Sequence, residues 1–283
     1  MQIIDGKKVS AEVKEKVRLD TLKLKEEHGL TPGLAVIIVG DDPASRVYVN
    51  NKKKACEAVG FVSEEYALPA STTQEELLAL VDTLNNKSDI NGILCQLPLP
   101  KHLDDKAVIE RISPQKDVDA FHAVNVGKIM LGEYEFLPCT PAGVMEMLHS
   151  YDIPVEGKEC VVIGRSNIVG KPMGMLLLHE NGTVTICHSR TENLGEVCRR
   201  ADILVAAVGR AKFVTADMVK DGAVVIDVGM NRDENGKLCG DVDFDAVAPK
   251  CSYITPVPGG VGPMTIATLM KNTLRACKMQ NGI

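Results

Sequence analysis

The sequence predicts an α/β protein of two domains, the second built on a parallel sheet. A length of 283 residues favours two domains over one. Short apolar runs such as residues 34–39 and 160–163 are typical of strands covered on both faces. These runs alternate with amphipathic segments and with turns rich in glycine and proline, which is the pattern of strand–helix repeats.

The first domain is predicted to hold alternating helices and strands over residues 1–138. Its helices are expected over 10–27 and 44–59, and from a capping box at Thr72 and Glu75 to residue 84. Its strands are expected over 34–39, within 61–68 and over 93–97.

The second domain is predicted to span residues 139–264. Thr140 and Pro141 resemble an N-cap and a first helical residue, with the helix running to His149. Its strands are expected over 160–163, 183–187, 201–208 and 223–228, with short helices capped by Thr191 or Asn193 and by Thr215. Pro263 is expected to open a final helix whose residues 265–283 return to the first domain.

A glycine turn follows the first strand of this second domain. Gly164 and Gly170 bracket the turn, and Pro172 suits the first turn of the next helix, whose N-terminus would attract phosphate. The pattern predicts a nucleotide-binding unit of Rossmann type. Because G-x-G-x-x-G is absent, an ordinary strand–helix turn remains an alternative.

The residues after the next strand favour NADP over NAD. An acidic residue about 20 positions beyond the glycine turn would bind the ribose hydroxyls of NAD, but here the strand ends in His188, Ser189 and Arg190. An additional 2′-phosphate would be within reach of Arg165, Ser166, Ser189 and Arg190. Further along the chain, Met230 follows a strand, and we interpret it either as a contact to the nicotinamide end of the cofactor or as a core methionine.

Lys52 lies on the apolar face of the second predicted helix. Tyr48, Ala55 and Val59 share that face at helical spacing, whereas Lys53 points away from it. One interpretation is a lysine that extends its stem over apolar surface to reach water. The other is a buried amine whose lowered pKa allows proton exchange in catalysis. The pattern alone leaves both open.

Two other positions combine a functional interpretation with a structural one. Gln96 ends an otherwise apolar strand, where ligands gather in α/β sheets, or it satisfies loop backbone. Asp119 lies in a loop where aspartate is common for turn chemistry alone. Residues 255–263, rich in glycine and proline, form either a flexible linker or a rigid loop that presents backbone to a flat ligand.

Composition excludes several classes of protein. The net charge is −6 and no basic stripe is present, which argues against a nucleic-acid partner. The sequence has no signal peptide and no membrane-spanning apolar run, so we expect a cytoplasmic protein. The nine scattered cysteines are expected to be reduced core residues, and histidine spacing predicts no metal site.

Several long motifs, in order along nearly the whole chain, resemble one enzyme family. The sequence is similar to bifunctional methylenetetrahydrofolate dehydrogenase and methenyltetrahydrofolate cyclohydrolase, the FolD family. The matching stretches are YVNNK (48–52), GILCQLPLP, PQKDVDAFH, PCTPAGV, GRSNIVGKPM, VTICHS, VIDVGMN, GDVDF and TPVPGGVGPMTIATL.

The resemblance implies a role for individual residues. Lys52 matches the lysine of the cyclohydrolase step, and Gln96 matches the glutamine that tunes it. Tyr48 and Asp119 match residues that contact the folate, and Asp119 would hydrogen-bond its pterin ring. The substrate-side loop is matched by Pro258 and Gly259, and the NADP contacts are matched by Gly164, Arg165, Ser166, Ser189 and Met230. The family further implies a homodimer and a cleft between the two domains.

Two positions depart from the family pattern. Ala120 stands where the family usually has glycine, and its methyl group is expected to shift the Asp119 loop slightly. Arg190 lies at a variable position, so its role toward the cofactor stays open. A dehydrogenase without hydrolase activity would have no need of Lys52, and a non-catalytic NADP sensor would not explain Tyr48, Lys52, Gln96 and Asp119 together.

Overall fold

The computed structural model describes residues 1–283, apart from the side chain of Ala44. The chain forms two compact units, named here by their sheets. The small-sheet unit comprises Glu12–Cys139 and Ile266–Ile283. The large-sheet unit comprises Met1–Ala11 and Thr140–Thr265.

The small-sheet unit is built on three parallel strands in the order β3-β2-β4. The strands are β2 (Gly33–Val39), β3 (Val62–Leu68) and β4 (Gly92–Cys95). The helices are α2 (Pro43–Val59), α3 (Gln74–Asn85), α4 (Asp105–Arg111) and α5 (Ala123–Leu131), together with most of α1 (Gly6–His28) and α10 (Val261–Gln280).

Every residue of β2 is buried, which explains its unbroken apolar sequence. One face of this sheet packs against α3, where Leu77, Val81 and Leu84 are fully buried. This packing holds β2 and β4 in place, and Gln96 directly follows the carboxyl end of β4.

The large-sheet unit is built on a parallel sheet in the order β1-β11-β8-β7-β5-β6. The strands are β1 (Gln2–Ile3), β5 (Glu159–Ile163), β6 (Thr183–Cys187), β7 (Ile203–Ala206), β8 (Val224–Asp227) and β11 (Tyr253–Ile254). A separate antiparallel hairpin joins β9 (Asn231–Arg232) to β10 (Leu238–Cys239). The helices are α6 (Cys139–Ser150), α7 (Gly170–His179), α8 (Leu194–Cys198) and α9 (Phe244–Val247), with short 3₁₀ turns at Ala216–Met218 and Ala248–Lys250.

Several predicted helix starts are wrong by one to four residues. Helix α1 begins at Gly6 and not at residue 10, and α10 begins at Val261 and not at Pro263. The capping box is formed by Thr73 and Glu76, whose side chains reciprocally cap the first turn of α3. Thr72 instead donates its hydroxyl to the carbonyl of Pro69, at 2.7 Å. Thr140 is already helical, since α6 begins at Cys139.

Some elements were missed because they are too short to carry a periodic pattern. The two-residue strands β1 and β11 pair with each other, and β11 also pairs with β8. This pairing places residues 1–11 in the large-sheet unit, where the sequence-based boundaries assigned them to the other domain. The predicted strand over 201–208 is shorter in the structure, at Ile203–Ala206.

Among the described residues, no helix has the length and apolar character needed to cross a membrane.

Candidate functional site

Helix α2, which carries Lys52, is capped at both ends. The Asp42 carboxylate accepts from the backbone N–H of Ser45, at 2.7 Å, and Gly60 ends the helix in the left-handed conformation at φ 80°. Within the helix, Lys52 is 9% exposed, while Lys53 is exposed. The prediction that Lys52 lies within the buried stripe is therefore confirmed.

Lys52 is held by the glutamine that follows β4. Its Nζ donates to Oε1 of Gln96 at 2.8 Å. The amide nitrogen of Gln96 donates in turn to the carbonyl of Leu97 at 2.7 Å, which orients Oε1 toward the lysine. A side chain on α2 and one at the end of β4 thus meet across the small-sheet unit.

Burial lowers the pKa of Lys52, because an ammonium loses hydration inside the protein. The Asp119 carboxylate opposes this shift by favouring the charged form. The same burial raises the pKa of Asp119, with Lys52 opposing that shift. Each of the two groups therefore favours the charged form of the other, while burial favours the neutral form of both.

The two aspartates of the loop after α4 have different tasks. Asp117 is buried, and its carboxylate accepts from the backbone N–H of Phe121 and of His122 and from the Asn125 side chain. Asp117 therefore stabilises the turn by accepting hydrogen bonds from its backbone, which is the structural interpretation that the sequence offered for aspartate in this loop. Asp119 instead interacts electrostatically with Lys52.

Ala120 occupies a position at which glycine is favoured. Its φ is 57°, in the left-handed region, and its side chain is fully buried. Its N–H donates to the carbonyl of Asp117 at 3.0 Å, so the residue closes the turn beside Asp119. This backbone conformation gives a physical reason for glycine here.

Two residues at this site escaped sequence reasoning. The Cys139 thiol donates to the carbonyl of Val118 at 3.5 Å, next to Asp119 in the chain, and burial raises the pKa of this thiol well above its ordinary value, so it stays protonated. Asn272, buried on α10, donates to the carbonyls of Val118 and Leu137, at 2.8 Å each. An asparagine on an otherwise apolar helix face was the available signal for Asn272, whereas Cys139 carried none.

Tyr48 lies one helical turn before Lys52 and is 36% exposed. Partial burial raises the pKa of its phenol, so it stays neutral. A half-exposed ring beside a buried lysine offers a flat apolar surface to an aromatic ligand.

The glycine turn of the large-sheet unit is as tight as backbone atoms allow. A Cβ on Gly164, which has φ 133°, would lie 2.2 Å from the carbonyl oxygen of Ala207. A Cβ on Gly170 would lie 2.2 Å from the carbonyl oxygen of Gly164. Only glycine fits at either position, and the turn leads directly into α7.

The predicted phosphate-side residues gather at the ends of β5 and β6. Ser166 accepts from the amides of Val169 and Gly170, at 3.2 Å each, at the start of α7. Ser189 follows β6, which pairs with β5 along its length. The side chains of Arg165, Ser166, Ser189 and Arg190 are exposed. A tight glycine turn, a helix N-terminus and cationic side chains together fit a phosphorylated dinucleotide.

The other predicted contacts also belong to the large-sheet unit. Met230 follows β8 and is 43% exposed, so the interpretation as a fully buried core methionine is excluded. Pro258 is exposed, whereas Gly259 is buried with φ 108° and accepts from the N–H of Lys7 at 3.1 Å. This contact ties the loop to the start of α1, and the linker interpretation of residues 255–263 does not account for it.

No group of three or more His, Cys, Asp or Glu side chains suited to a metal ion occurs among the described residues.

Two family models match consecutive parts of the chain. The model for the catalytic domain of tetrahydrofolate dehydrogenase/cyclohydrolase matches residues 4–119. The model for the NAD(P)-binding domain of the same family matches residues 138–281. The chain belongs to the tetrahydrofolate dehydrogenase/cyclohydrolase family. Lys52 and Asp119 therefore lie within the catalytic-domain match, and the glycine turn lies within the NAD(P)-binding match.

Curated relatives and solved structures of this family agree over nearly full length. A bifunctional protein FolD of Acetivibrio thermocellus is 61% identical over 279 residues, covering 99% of this chain and 98% of the relative. The crystal structure of a FolD dehydrogenase/cyclohydrolase from Campylobacter jejuni has a TM-score of 0.97 and 51% identity, with complete coverage of both chains. The Trypanosoma brucei enzyme, solved with NADP and an inhibitor, has a TM-score of 0.95 and 40% identity, covering 99% of this chain and 98% of that one.

Proposed function

We propose that the chain catalyses two consecutive reactions of one-carbon folate metabolism. The first is NADP-dependent oxidation of methylenetetrahydrofolate to methenyltetrahydrofolate, and the second is hydrolysis of that product to formyltetrahydrofolate. The observation that carries the proposal is the buried Lys52 amine, hydrogen-bonded to Gln96 and electrostatically coupled to Asp119. Membership of the family, with bifunctional relatives at about 60% identity, supports it.

The oxidation mainly requires that donor and acceptor carbons be held close and aligned. Gly164, Arg165, Ser166 and Ser189 would hold the phosphates of NADP, with Met230 toward its nicotinamide end. When bound, NADP supplies the hydride acceptor. The nitrogen lone pairs of the folate assist departure of the hydride, so this step needs no strong protein acid or base.

The hydrolysis requires a group that accepts and returns a proton. Neutral Lys52 takes a proton from the attacking water as the new carbon–oxygen bond forms at the methenyl carbon. The resulting ammonium gives a proton to N5 as the carbon–N5 bond breaks. The adduct hydroxyl then loses its proton to solvent as the formyl carbonyl forms. Burial makes the neutral amine accessible at a lower pH than for an ordinary lysine.

Gln96 and Asp119 prepare the site in different ways. Gln96 accepts from Lys52 and so directs the amine toward the reacting carbon. Asp119 would hydrogen-bond the pterin ring, with Tyr48 against the ring face. Pro258 and Gly259 would contribute the substrate-side loop.

We also propose that the protein acts in the cytosol as a homodimer. Eight of its nine free cysteines are buried, which suits a reducing compartment. Sedimentation equilibrium would give twice the chain mass of 30.5 kDa if the dimer forms. A single-chain mass at micromolar concentration would exclude a stable dimer.

The test is a spectroscopic time course with methylenetetrahydrofolate and NADP that follows NADPH and the methenyl intermediate separately. Rising NADPH with only transient methenyl is the expected result. Methenyl that accumulates and decays at its uncatalysed rate would leave a dehydrogenase alone. No NADPH, from folded protein shown to bind NADP, would support a non-catalytic binding module.

A further inference from the structure

A fully buried carboxylate gathers the loop that follows β7. Asp241 has no exposed surface, and its two oxygens accept from the backbone amides of Val208, Gly209 and Arg210, at 2.6, 3.0 and 2.9 Å. The side-chain amide of Asn231 adds a fourth donor at 2.9 Å. Three consecutive amides turned toward one carboxylate fix the conformation of residues 208–210.

A second buried aspartate supports the first. Asp227, at the end of β8, accepts from the amides of Gly229, Asp241 and Val242, at 2.9 Å each. Its own N–H donates to the hydroxyl of Thr255 at 2.7 Å. The backbone that carries Asp241 is thereby held by the strand next to β7.

The local sequence makes room for both carboxylates. A Cβ on Gly240 would lie 1.8 Å from an oxygen of Asp227, and a Cβ on Gly229 would lie 2.3 Å from the carboxyl carbon of Asp241. Glycine at these two positions is therefore a steric requirement of the carboxylate pair.

The orientation of the loop reaches the glycine turn. In a planar trans peptide the carbonyl points opposite to the N–H, so the amide of Val208, turned toward Asp241, directs the carbonyl of Ala207 away from it. That carbonyl oxygen lies against Gly164, only 2.2 Å from the position of a Cβ there. The Asp241 carboxylate and the predicted phosphate-binding turn thus bracket the same peptide group.

The position within the sheet indicates which part of a dinucleotide the loop would meet. The 2′-phosphate side, with Arg165 and Ser189, lies at the ends of β5 and β6. A dinucleotide crossing the carboxyl ends of the strands from there reaches the ends of β7 and β8 next. These are the strand ends that Asp241 and Asp227 organise.

We propose that Asp241 is a positioning residue for the nicotinamide half of NADP. By collecting the amides of residues 208–210, it holds the loop after β7 in the conformation that receives this half of the cofactor. The inference rests on the proposed function only in its assignment of NADP to the large-sheet unit.

The test compares Asp241→Asn with Asp245→Asn, which makes the same change at an exposed site nearby. Two probes are titrated calorimetrically: NADP, and adenosine 2′,5′-bisphosphate, which has the phosphate half without the nicotinamide. Asp241→Asn is expected to weaken NADP binding about tenfold, since it loses acceptors for several amides, and to leave the bisphosphate within about twofold. Asp245→Asn should bind both ligands as the wild type does.

The bisphosphate binds in the same unit as Asp241, so its near-unchanged affinity serves as the folding control for that unit. Hydrolysis of methenyltetrahydrofolate without NADP reports on the small-sheet residues. It should stay within about twofold in Asp241→Asn. Equal weakening of both ligands, or unchanged NADP affinity in folded protein, would overturn the proposal.

A second variant applies if Asp241→Asn does not fold. Asn231→Ala leaves the three backbone contacts of Asp241 in place and should weaken binding of NADP alone by about threefold. An unchanged NADP affinity in Asn231→Ala would overturn the proposal equally. Wild-type protein that binds NADP without oxidising the folate would contradict the proposed function, while the binding comparison still decides the role of Asp241.

Discussion

Lys52 and Gln96 are 44 residues apart in the chain, and the lysine Nζ donates to the glutamine Oε1 at 2.8 Å. Gln96 also donates to the neighbouring carbonyl of Leu97, so its amide cannot rotate without losing one of the two hydrogen bonds. The amine is therefore both buried and oriented. This relationship separates the two proposed reactions, because only the hydrolysis requires proton transfer.

Lys52→Met should abolish hydrolysis while hydride transfer remains measurable. Methionine keeps an unbranched apolar stem but cannot exchange protons, and loss of a general acid–base group costs about 100-fold to 10,000-fold in rate. The measurement is methenyl hydrolysis and NADPH formation in parallel assays. Lys53→Met, exposed on the same helix, is the control and should match the wild type. Full hydrolase activity in Lys52→Met would refute the assigned role.

The rate of hydrolysis should rise with pH below the range of an ordinary lysine. The neutral amine is the active form, its fraction increases through the pKa of Lys52, and burial lowers that pKa. Gln96→Ala removes an acceptor that favours the ammonium, so the inflection should move further toward acid while the maximal rate falls. Enzyme-catalysed rates corrected for spontaneous hydrolysis measure both effects. A profile without an inflection in either protein would contradict this account.

Arg165→Ala should reduce the preference for NADP over NAD by about tenfold or more. A guanidinium suits the 2′-phosphate, which NAD lacks, and a charge-assisted hydrogen bond contributes about 1.5–3 kcal/mol. The ratio of kcat/KM for the two cofactors is the measurement. Arg190→Ala, also exposed beyond β6, tests whether that side chain shares the role. An unchanged ratio in Arg165→Ala would remove Arg165 from the explanation.

Ala120→Gly should change stability by less than about 1 kcal/mol. Relief of the left-handed strain, about 1–2 kcal/mol, is offset by the loss of a buried methyl group and by the added backbone entropy of the unfolded chain. Ala120→Val should cost more than about 2 kcal/mol, since a β-branched side chain fits neither this φ nor the buried space. Urea unfolding measures both variants. Equal stability of the valine variant would show that the loop adjusts freely.

The stability that Asp227 contributes should depend on pH with an unusual sign. Burial raises its pKa from 3.8 to about 6, with the neighbouring Asp241 carboxylate adding to the shift. Between these values the folded protein binds more protons than the unfolded chain, so the free energy of unfolding falls as pH rises from about 4 to about 6. The difference in the free energy of unfolding between wild type and Asp227→Asn should fall by up to about 3 kcal/mol as the pH rises over that window. Denaturant titrations at several pH values measure it, and a rising difference would reverse the assignment.

Regular elements with a strong pattern were predicted well from sequence. The strand over Thr183–Cys187 agrees at both ends, and β2 and α2 agree to within one residue. The helical period placed Lys52 on the buried face, because the spacing of side chains around a helix depends only on its geometry. The helical pattern therefore predicted that this amine lies on the buried face.

Other features were beyond such reasoning because the same residue types fit more than one arrangement of hydrogen bonds. Neighbouring threonines, each three residues before a glutamate, offer two possible capping boxes, and the hydrogen bond from Thr72 to Pro69 decides between them. Likewise, Asp117 and Asp119 are indistinguishable as letters, yet one closes a turn and the other faces Lys52.

The local sequence pattern therefore determined the α/β class, the strand–helix alternation and the glycine turn, because each of them follows from residue spacing and backbone preference. Long-range contacts decided the protonation chemistry. The pKa of Lys52 depends on burial and on Asp119, 67 positions further along the chain, and the Asp241 carboxylate is satisfied by amides about 30 positions earlier. Burial and charge act through space, so only the folded chain determines them.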